Sequence, residues 1–218
     1  MHAARPALLF RNPYELLVAI ILSAQTTDRR VNELTPALFS RYPNPDALAG
    51  ATLWDLESLL RPIGFYRIKS KTIRSACRAL VERYGGTVPT SMADLLTLPG
   101  VGRKTANAFL VAGLGQPGIV TDRHLIRVAG RLALVDETEP ERVERMLMRL
   151  LPRRAWGSFS LRMTLHGRAV CLARRPRCER CVLNDFCPSS TTRDWPTERR
   201  LALALSFAPP PPRAPGSR

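Results

Sequence analysis

Four of the five cysteines stand close together, at Cys171, Cys178, Cys181 and Cys187. The spacing C-x6-C-x2-C-x5-C lets four thiolates close around a single site, so the fold must deliver a loop that wraps a metal centre. Zinc and a [4Fe–4S] cluster both accept four sulfurs, and the spacing alone leaves both open, with zinc the plainer choice. A secreted disulfide framework is a poor reading, because the cysteines are clustered rather than spread and a chain of 218 residues can build a core without one. A metal site in a reducing compartment fits better. Cys77 lies on an apolar helix face and reads as a buried free thiol.

Elsewhere the apolar residues recur with the period of a helix. Ile73, Ala76, Cys77, Leu80, Val81 and Tyr84 fall at i, i+3, i+4, i+7, i+8 and i+11 before Gly85 and Gly86 stop the run. Val143, Met146, Leu147, Leu150 and Leu151 repeat the pattern. Capping-box spacing appears at Thr52–Asp55, Ser91–Asp94 and Thr138–Glu141, with Pro140 early in its helix. No alternating run long enough for a sheet is present, so the chain reads as an all-α protein of about ten short helices. The stretch LLVAIILSA from Leu16 to Ala24 could pass for a secretory segment. Glu15 at its edge, the lack of a basic cluster before it and its length, far short of the ~20 residues needed to span a bilayer, make it a buried helix instead. After Cys187 come SSTTRDWPTERR, LALALSFA and PPPPRAPGSR. The final ten residues are expected to be disordered, with Trp195 to Phe207 a segment that can dock on the body.

The chain carries 33 basic and 18 acidic residues, a formal charge of +15. A pI near 11.0 makes nucleic acid the first partner to consider, against the plainer alternatives of a solubility charge or a general arginine bias. Only three of the basic residues are lysines, Lys69, Lys71 and Lys104. Where a bare positive charge suffices this sequence uses arginine, so a surviving lysine is a candidate for amine chemistry, which a guanidinium cannot perform.

Residues 91–114 read SMADLLTLPGVGRKTANAFLVAGL: a capped helix, a tight LPGVG turn and a second helix starting near Arg103. Free amide N–H groups and the positive end of the dipole at that helix start make the turn a seat for a phosphate, and the two glycines let a partner come close. On the glycines alone, an ordinary corner would explain the turn. Leu98-Pro99-Gly100-Val101-Gly102 followed by Arg103-Lys104 is far more specific. This segment resembles the helix–hairpin–helix motif of the endonuclease III superfamily of DNA glycosylases. The resemblance extends through NPYELLVAIILSAQTTD, GFYRIKSKTI, VTDRHLIRV, LHGR and the cysteine run, about residues 11–188.

The resemblance implies two helical domains with a DNA-binding cleft between them. Residues 11–116 would form a six-helix barrel with the hairpin, residues 1–10 and 117–190 an iron–sulfur cluster domain, and 191–218 a partly disordered tail. Only MHAARPALLF precedes Arg11, where the family usually has a longer helical segment that packs on the cluster domain, so the N-terminal part of that domain is an open question. The same resemblance casts Lys104, buried beside Arg103, as the nucleophile that attacks the sugar of a damaged nucleotide, forms a Schiff base and lets β-elimination cut the strand. Asp122 reads from its position as the N-cap of the helix that runs through Leu125, Ile126, Val128, Ala129 and Leu132. The resemblance adds the role of catalytic carboxylate. His124 becomes a contact to the DNA backbone, and Arg123 stands where the family commonly has threonine. Leu98, Gly100, Val101, Gly102 and Arg103 would hold the DNA backbone. Gln25 would fill the space left by an extruded nucleotide, and Phe65 would act as a wedge where relatives often carry leucine. Lys69 and Lys71 read as phosphate contacts. Leu165-His166-Gly167-Arg168 ahead of the cysteines shifts their metal from zinc to a [4Fe–4S] cluster, with Arg174, Arg175, Arg177 and Arg180 in its loop facing DNA.

The function implied is base excision repair: removal of oxidised pyrimidines from duplex DNA, with lyase activity at abasic sites. The partner would be double-stranded DNA carrying such lesions, bound by a monomer in the bacterial cytoplasm, at the nucleoid and away from membranes. Two alternatives stay open. A monofunctional glycosylase shares the scaffold but lacks a lysine at the position of Lys104, and a non-catalytic DNA-binding or redox module would have no use for Lys104 together with Asp122.

Overall fold

In the computed structural model, which describes residues 8–192, the apolar run beginning at Leu16 forms helix α1 (Pro13–Leu22), buried from Tyr14 through Leu22. The Asn12 side chain caps it by accepting from Glu15 N, and Pro13 takes the first helical position, where its missing N–H costs nothing. A helix apolar on every face is stable only when other elements surround it. Here they are α2 (Asp28–Arg41), α3 (Pro45–Ala49), α4 (Leu53–Leu60), α5 (Tyr66–Tyr84), α6 (Met92–Leu96) and α7 (Arg103–Leu114). Helix α1 packs directly on α2, α5 and α7. At the α7 contact Gly113 makes room for Leu16: a Cβ there would lie 2.6 Å from Leu16 Cδ2. Leu16, Leu22, Leu38, Leu56, Ile73, Leu80 and Phe109 form the fully buried centre of this unit. Helix α5 ends at Gly85, whose φ of +55° is the left-handed turn that glycine adopts without strain. Cys77 is buried on α5, and burial pushes its thiol up to about 12.

The chain divides between Gln116 and Pro117 into two compact units. The second has its own core around Ile119, Leu125, Val143 and Leu147. It contains α8 (Arg123–Arg131), α9 (Pro140–Leu150), α10 (Trp156–Ala169) and single 3-10 turns at Arg153–Ala155, Cys178–Arg180 and Asn184–Phe186. Helices α8 and α10 approach closely because residue 167 is glycine. A Cβ there would stand 2.9 Å from His124 Cβ and 3.2 Å from His124 O. The regular elements of the described residues are thus all helices, as the periodicity predicts, and none of them is long and apolar enough to cross a membrane.

Two expectations change. Thr52 and Ser91 cap α4 and α6 as read, but α9 is capped by Glu139 rather than Thr138. The Glu139 carboxylate accepts from Glu141 N at 2.8 Å and Arg142 N at 3.1 Å. Pro140, with no N–H and its φ fixed, occupies the first helical position and moves the cap to the residue before it. Residues 8–10 belong with the first unit rather than the cluster domain. Leu8 packs against the first core, and Leu9 N donates to Asn32 Oδ1 at 2.9 Å. Residues 1–7, the segment from Trp195 to Phe207 and the final ten residues lie outside the described part.

Because Leu16 is wholly enclosed between α1 and α7, Leu16→Ala is expected to lower the unfolding free energy of the first unit by about 2–5 kcal/mol. Urea titration followed by circular dichroism measures it, and a change within error would show that the α1–α7 contact does not carry the core.

Candidate active site and metal centre

The hairpin between α6 and α7 is anchored from below. Leu98 and Val101 are 2% and 5% exposed, and Val101 N donates to Leu98 O at 3.1 Å. Their side chains therefore bind the turn to the core, leaving backbone groups to meet a partner. Gly100 has φ +77°, and a Cβ there would lie 2.1 Å from Thr72 Cγ2. The fold itself requires glycine at that position. Gly102 is different: it is exposed, its φ is −86°, and a Cβ would meet nothing within 4 Å. Nothing in the unit demands glycine there, whereas an approaching phosphate would. No side chain caps α7, so the positive end of its dipole is presented to an anion. Arg103 is half-buried, and Lys104, on the first turn, is exposed rather than buried.

Gln25 and Phe65 share an unusual backbone. Both are exposed and both occupy the left-handed region, with φ of +55° and +59°. Non-glycine residues there cost of order 1–3 kcal/mol and persist only where the surroundings hold them, commonly at functional sites. Phe65 is 60% exposed and takes no part in the core. Lys71 is exposed, as a phosphate contact would be. Lys69 is not available for that role. It is 5% exposed and donates to Thr26 Oγ1, and burial holds its ammonium below the ordinary lysine range.

In the second unit Asp122 is the N-cap of α8, as its position suggested. Its Oδ1 accepts from His124 N at 2.9 Å, Leu125 N at 2.8 Å and Thr164 Oγ1 at 3.2 Å. Three donors on one oxygen fix a carboxylate that is 8% exposed, and Oδ2 takes no part in these bonds. Capping and catalysis are therefore compatible in one side chain. The neighbouring Thr121 hydroxyl is buried without a hydrogen-bond partner among the described residues. His124 is half-buried, and its ring is held below the usual histidine range, chiefly by burial. Arg127 Nη2 lies 3.2 Å from His124 Nδ1. A guanidinium only donates, so this contact is a hydrogen bond when Nδ1 of the imidazole is unprotonated. Arg123 is exposed.

The four clustered cysteines line one cavity, together with Val128, Arg131 and His166. A [4Fe–4S] cluster takes one thiolate on each iron, so four cysteines lining one cavity are the donor set it requires. Burial pushes the free thiols of Cys181 and Cys187 up, so metal binding there releases protons. His166 Nε2 lies 3.4 Å from Cys181 Sγ.

Arg127 and Arg131 are functional side chains that the sequence motifs do not single out. Arg127 donates to Cys171 O at 2.9 Å and to Gly167 O at 2.8 Å. Arg131 donates to Cys171 Sγ at 3.2 Å, Leu172 O at 2.7 Å and Ala173 O at 2.9 Å. The available signal was the four-residue spacing of Arg123, Arg127 and Arg131 along α8, which sets them on one side of the helix.

Comparison with known proteins matches residues 18–153 to the HhH-GPD superfamily base excision DNA repair proteins and residues 171–187 to the iron–sulfur binding domain of endonuclease III. The endonuclease III of Synechocystis sp. is 50% identical over 182 residues, 83% of this chain and 83% of the relative. Those of Bacillus subtilis and Escherichia coli K12 are 40% and 39% identical, covering 86% and 82% of this chain and 86% and 84% of their own lengths. Among solved structures, a trapped endonuclease III–DNA covalent intermediate superposes with a TM-score of 0.82 at 40% identity, covering 87% of this chain and 90% of that one. A thermostable thymine-DNA glycosylase shares the fold, with a TM-score of 0.78 at 23% identity over 87% of this chain and 89% of its own.

The two hairpin glycines are expected to separate folding from binding. Gly102→Val should melt at the wild-type temperature yet bind a DNA duplex at least about tenfold more weakly, a loss of ~1.4 kcal/mol. Gly100→Val should lower the melting temperature. Fluorescence anisotropy with a labelled duplex and thermal melts report the two effects, and unchanged affinity in Gly102→Val would remove the turn from the interface.

Proposed function

The chain belongs to the endonuclease III family within the HhH-GPD superfamily of base excision DNA repair proteins, and from that premise we propose that it removes oxidised pyrimidines from duplex DNA and cuts the strand at the resulting abasic site through Lys104. It is a DNA glycosylase with a [4Fe–4S] cluster. The observation that carries the lyase reading is the position of Lys104: exposed, on the first turn of uncapped α7, two residues after a glycine the fold does not require. A nucleophile there sits beside the place where a phosphate would bind, which limits the freedom of the sugar it attacks.

In this reading the unprotonated Lys104 amine bonds to C1′ of the damaged nucleotide as the N-glycosidic bond breaks and the base leaves with the electron pair. The Asp122 carboxylate stabilises the positive charge developing on the sugar and receives the lysine proton. Opening of the sugar ring gives a Schiff base, which acidifies the C2′ proton. Loss of that proton expels the 3′ phosphate, and hydrolysis frees the lysine. Gln25 and Phe65 fill the space left by the extruded nucleotide. The unit ending at Gln116 provides the hairpin and these two side chains. The unit from residue 117 provides Asp122 and His124 and, through Cys171, Cys178, Cys181 and Cys187, holds the cluster. When bound, the cluster supplies structural order to the arginine-rich loop. The partner is lesion-bearing duplex DNA in a bacterial cell, met by a monomer.

Borohydride added during reaction with a duplex carrying an oxidised pyrimidine should trap a covalent protein–DNA adduct. Lys104→Arg keeps the charge but loses the nucleophilic amine, so trapping and strand cleavage should vanish while duplex affinity stays near wild type. An adduct formed by Lys104→Arg at the wild-type rate would sink the assignment. Asp122→Asn retains an oxygen for the α8 cap, so the variant should fold normally yet release the base roughly 10²–10⁴-fold more slowly in single-turnover assays. Protein expressed with iron should contain about four irons and matching acid-labile sulfide per chain, and zinc in their place would overturn the cluster ligation.

A further inference from the structure

Helix α5 begins with two residues in places their types seldom occupy. Phe65, its N-cap, is exposed at φ +59°. One turn further, Lys69 is 5% exposed. Lysine is almost never buried without a charged partner, yet the Lys69 ammonium donates to the neutral Thr26 hydroxyl. A hydroxyl offsets little of the desolvation of an ammonium, and the burial lowers the lysine's proton affinity accordingly. Apolar packing alone would be served better by methionine.

The bond's location gives it a use. Thr26 directly follows Gln25, the exposed residue at φ +55°. Thr26 N donates to Ser23 O at 3.1 Å, which ties this loop to the end of α1, and Lys69 N donates to Phe65 O at 3.0 Å, which ties Lys69 to the wedge residue. One buried side chain therefore joins two segments separated by 43 residues. Each segment carries an exposed side chain on a left-handed backbone.

We propose that Lys69 is a positioning residue that, through Thr26, locks the Gln25 loop to the Phe65 helix start, so that both side chains enter the opened base stack as one rigid element. The proposal rests on the reading of Gln25 and Phe65 as the residues that enter the duplex. Ordering the two segments in the free protein removes that cost from the moment of nucleotide extrusion. The gain applies only where a nucleotide must be pulled from a paired stack. A lesion that is already unpaired needs no wedge.

The experiment compares single-turnover base release by the full-length, cluster-loaded protein on an oxidised pyrimidine in a fully paired duplex and on the same lesion inside an unpaired bubble. Lys69→Met and Thr26→Val should each slow the paired reaction by up to about tenfold, the scale set by ordering one long side chain, and leave the bubble reaction near wild type. The double variant should be no slower than the worse single one, because both remove the same bond. A 2-aminopurine placed beside the lesion should report reduced extrusion. Thr26→Val, which removes only the acceptor, keeps the test decisive if Lys69→Met does not fold. Equal loss on paired and bubble substrates, or no loss on either, overturns the role of Lys69. Gln25→Ala and Phe65→Ala separate the two layers of the argument. If these variants leave the paired-to-bubble ratio unchanged, the wedge reading itself fails and the proposal falls with it. If they shift the ratio and Lys69→Met does not, only the role of Lys69 is lost.

Discussion

A helix with no polar face has to be enclosed, and the enclosure of α1 organises the first unit. Its residues from Tyr14 to Leu22 are buried, and the tightest contact is where Gly113 of α7 admits Leu16. That contact fixes α7, whose first turn bears Lys104, against the centre of the unit. The loop leaving the C-terminal end of α1 bears Gln25. The candidate nucleophile and one of the residues proposed to enter the duplex are thus carried by elements clamped to the same buried helix. Rigidity comes from the packed interior, and exposure and backbone strain are confined to the ends that emerge from it.

In the second unit the corresponding role falls to α8. Its N-terminal end is capped by the Asp122 carboxylate, and Arg127 and Arg131 on its flank bind the carbonyls of the cysteine loop. Gly167 allows α10 close enough for these bonds to form. Such outer bonds orient the groups that meet a metal and are part of the site as much as the ligands are. One helix therefore serves both the carboxylate and the cavity that the cysteines line.

The three lysines show how far a compositional argument reaches. Their rarity against arginine marked each as a candidate for chemistry, and they end in different surroundings. Lys104 and Lys71 are exposed, and Lys69 is buried against Thr26. For Lys69 the advantage over arginine is size and a compact, rotatable donor that a single hydroxyl can meet inside the core. Composition ranked the three lysines together, and what surrounds each one tells them apart.

The sequence by itself determined what is local. Helical periods, the Gly85 stop, the caps at Thr52 and Ser91, the glycine-rich turn and the four crowded cysteines are written within a few residues of one another, because helix and turn chemistry acts over one or two turns of chain. The cap at Glu139, expected at Thr138, is the local exception, although Pro140 beside it marks the first helical position. Tertiary structure decided the rest. It put residues 8–10 with the first core, left Lys104 exposed, buried Lys69 on a threonine far away in sequence, and turned Arg127 and Arg131 toward the cysteine loop. It also set Gln25 and Phe65 in left-handed conformations that their own side chains disfavour. These outcomes depend on desolvation and on contacts between segments many residues apart, and no local pattern encodes a partner that only the folded chain brings near.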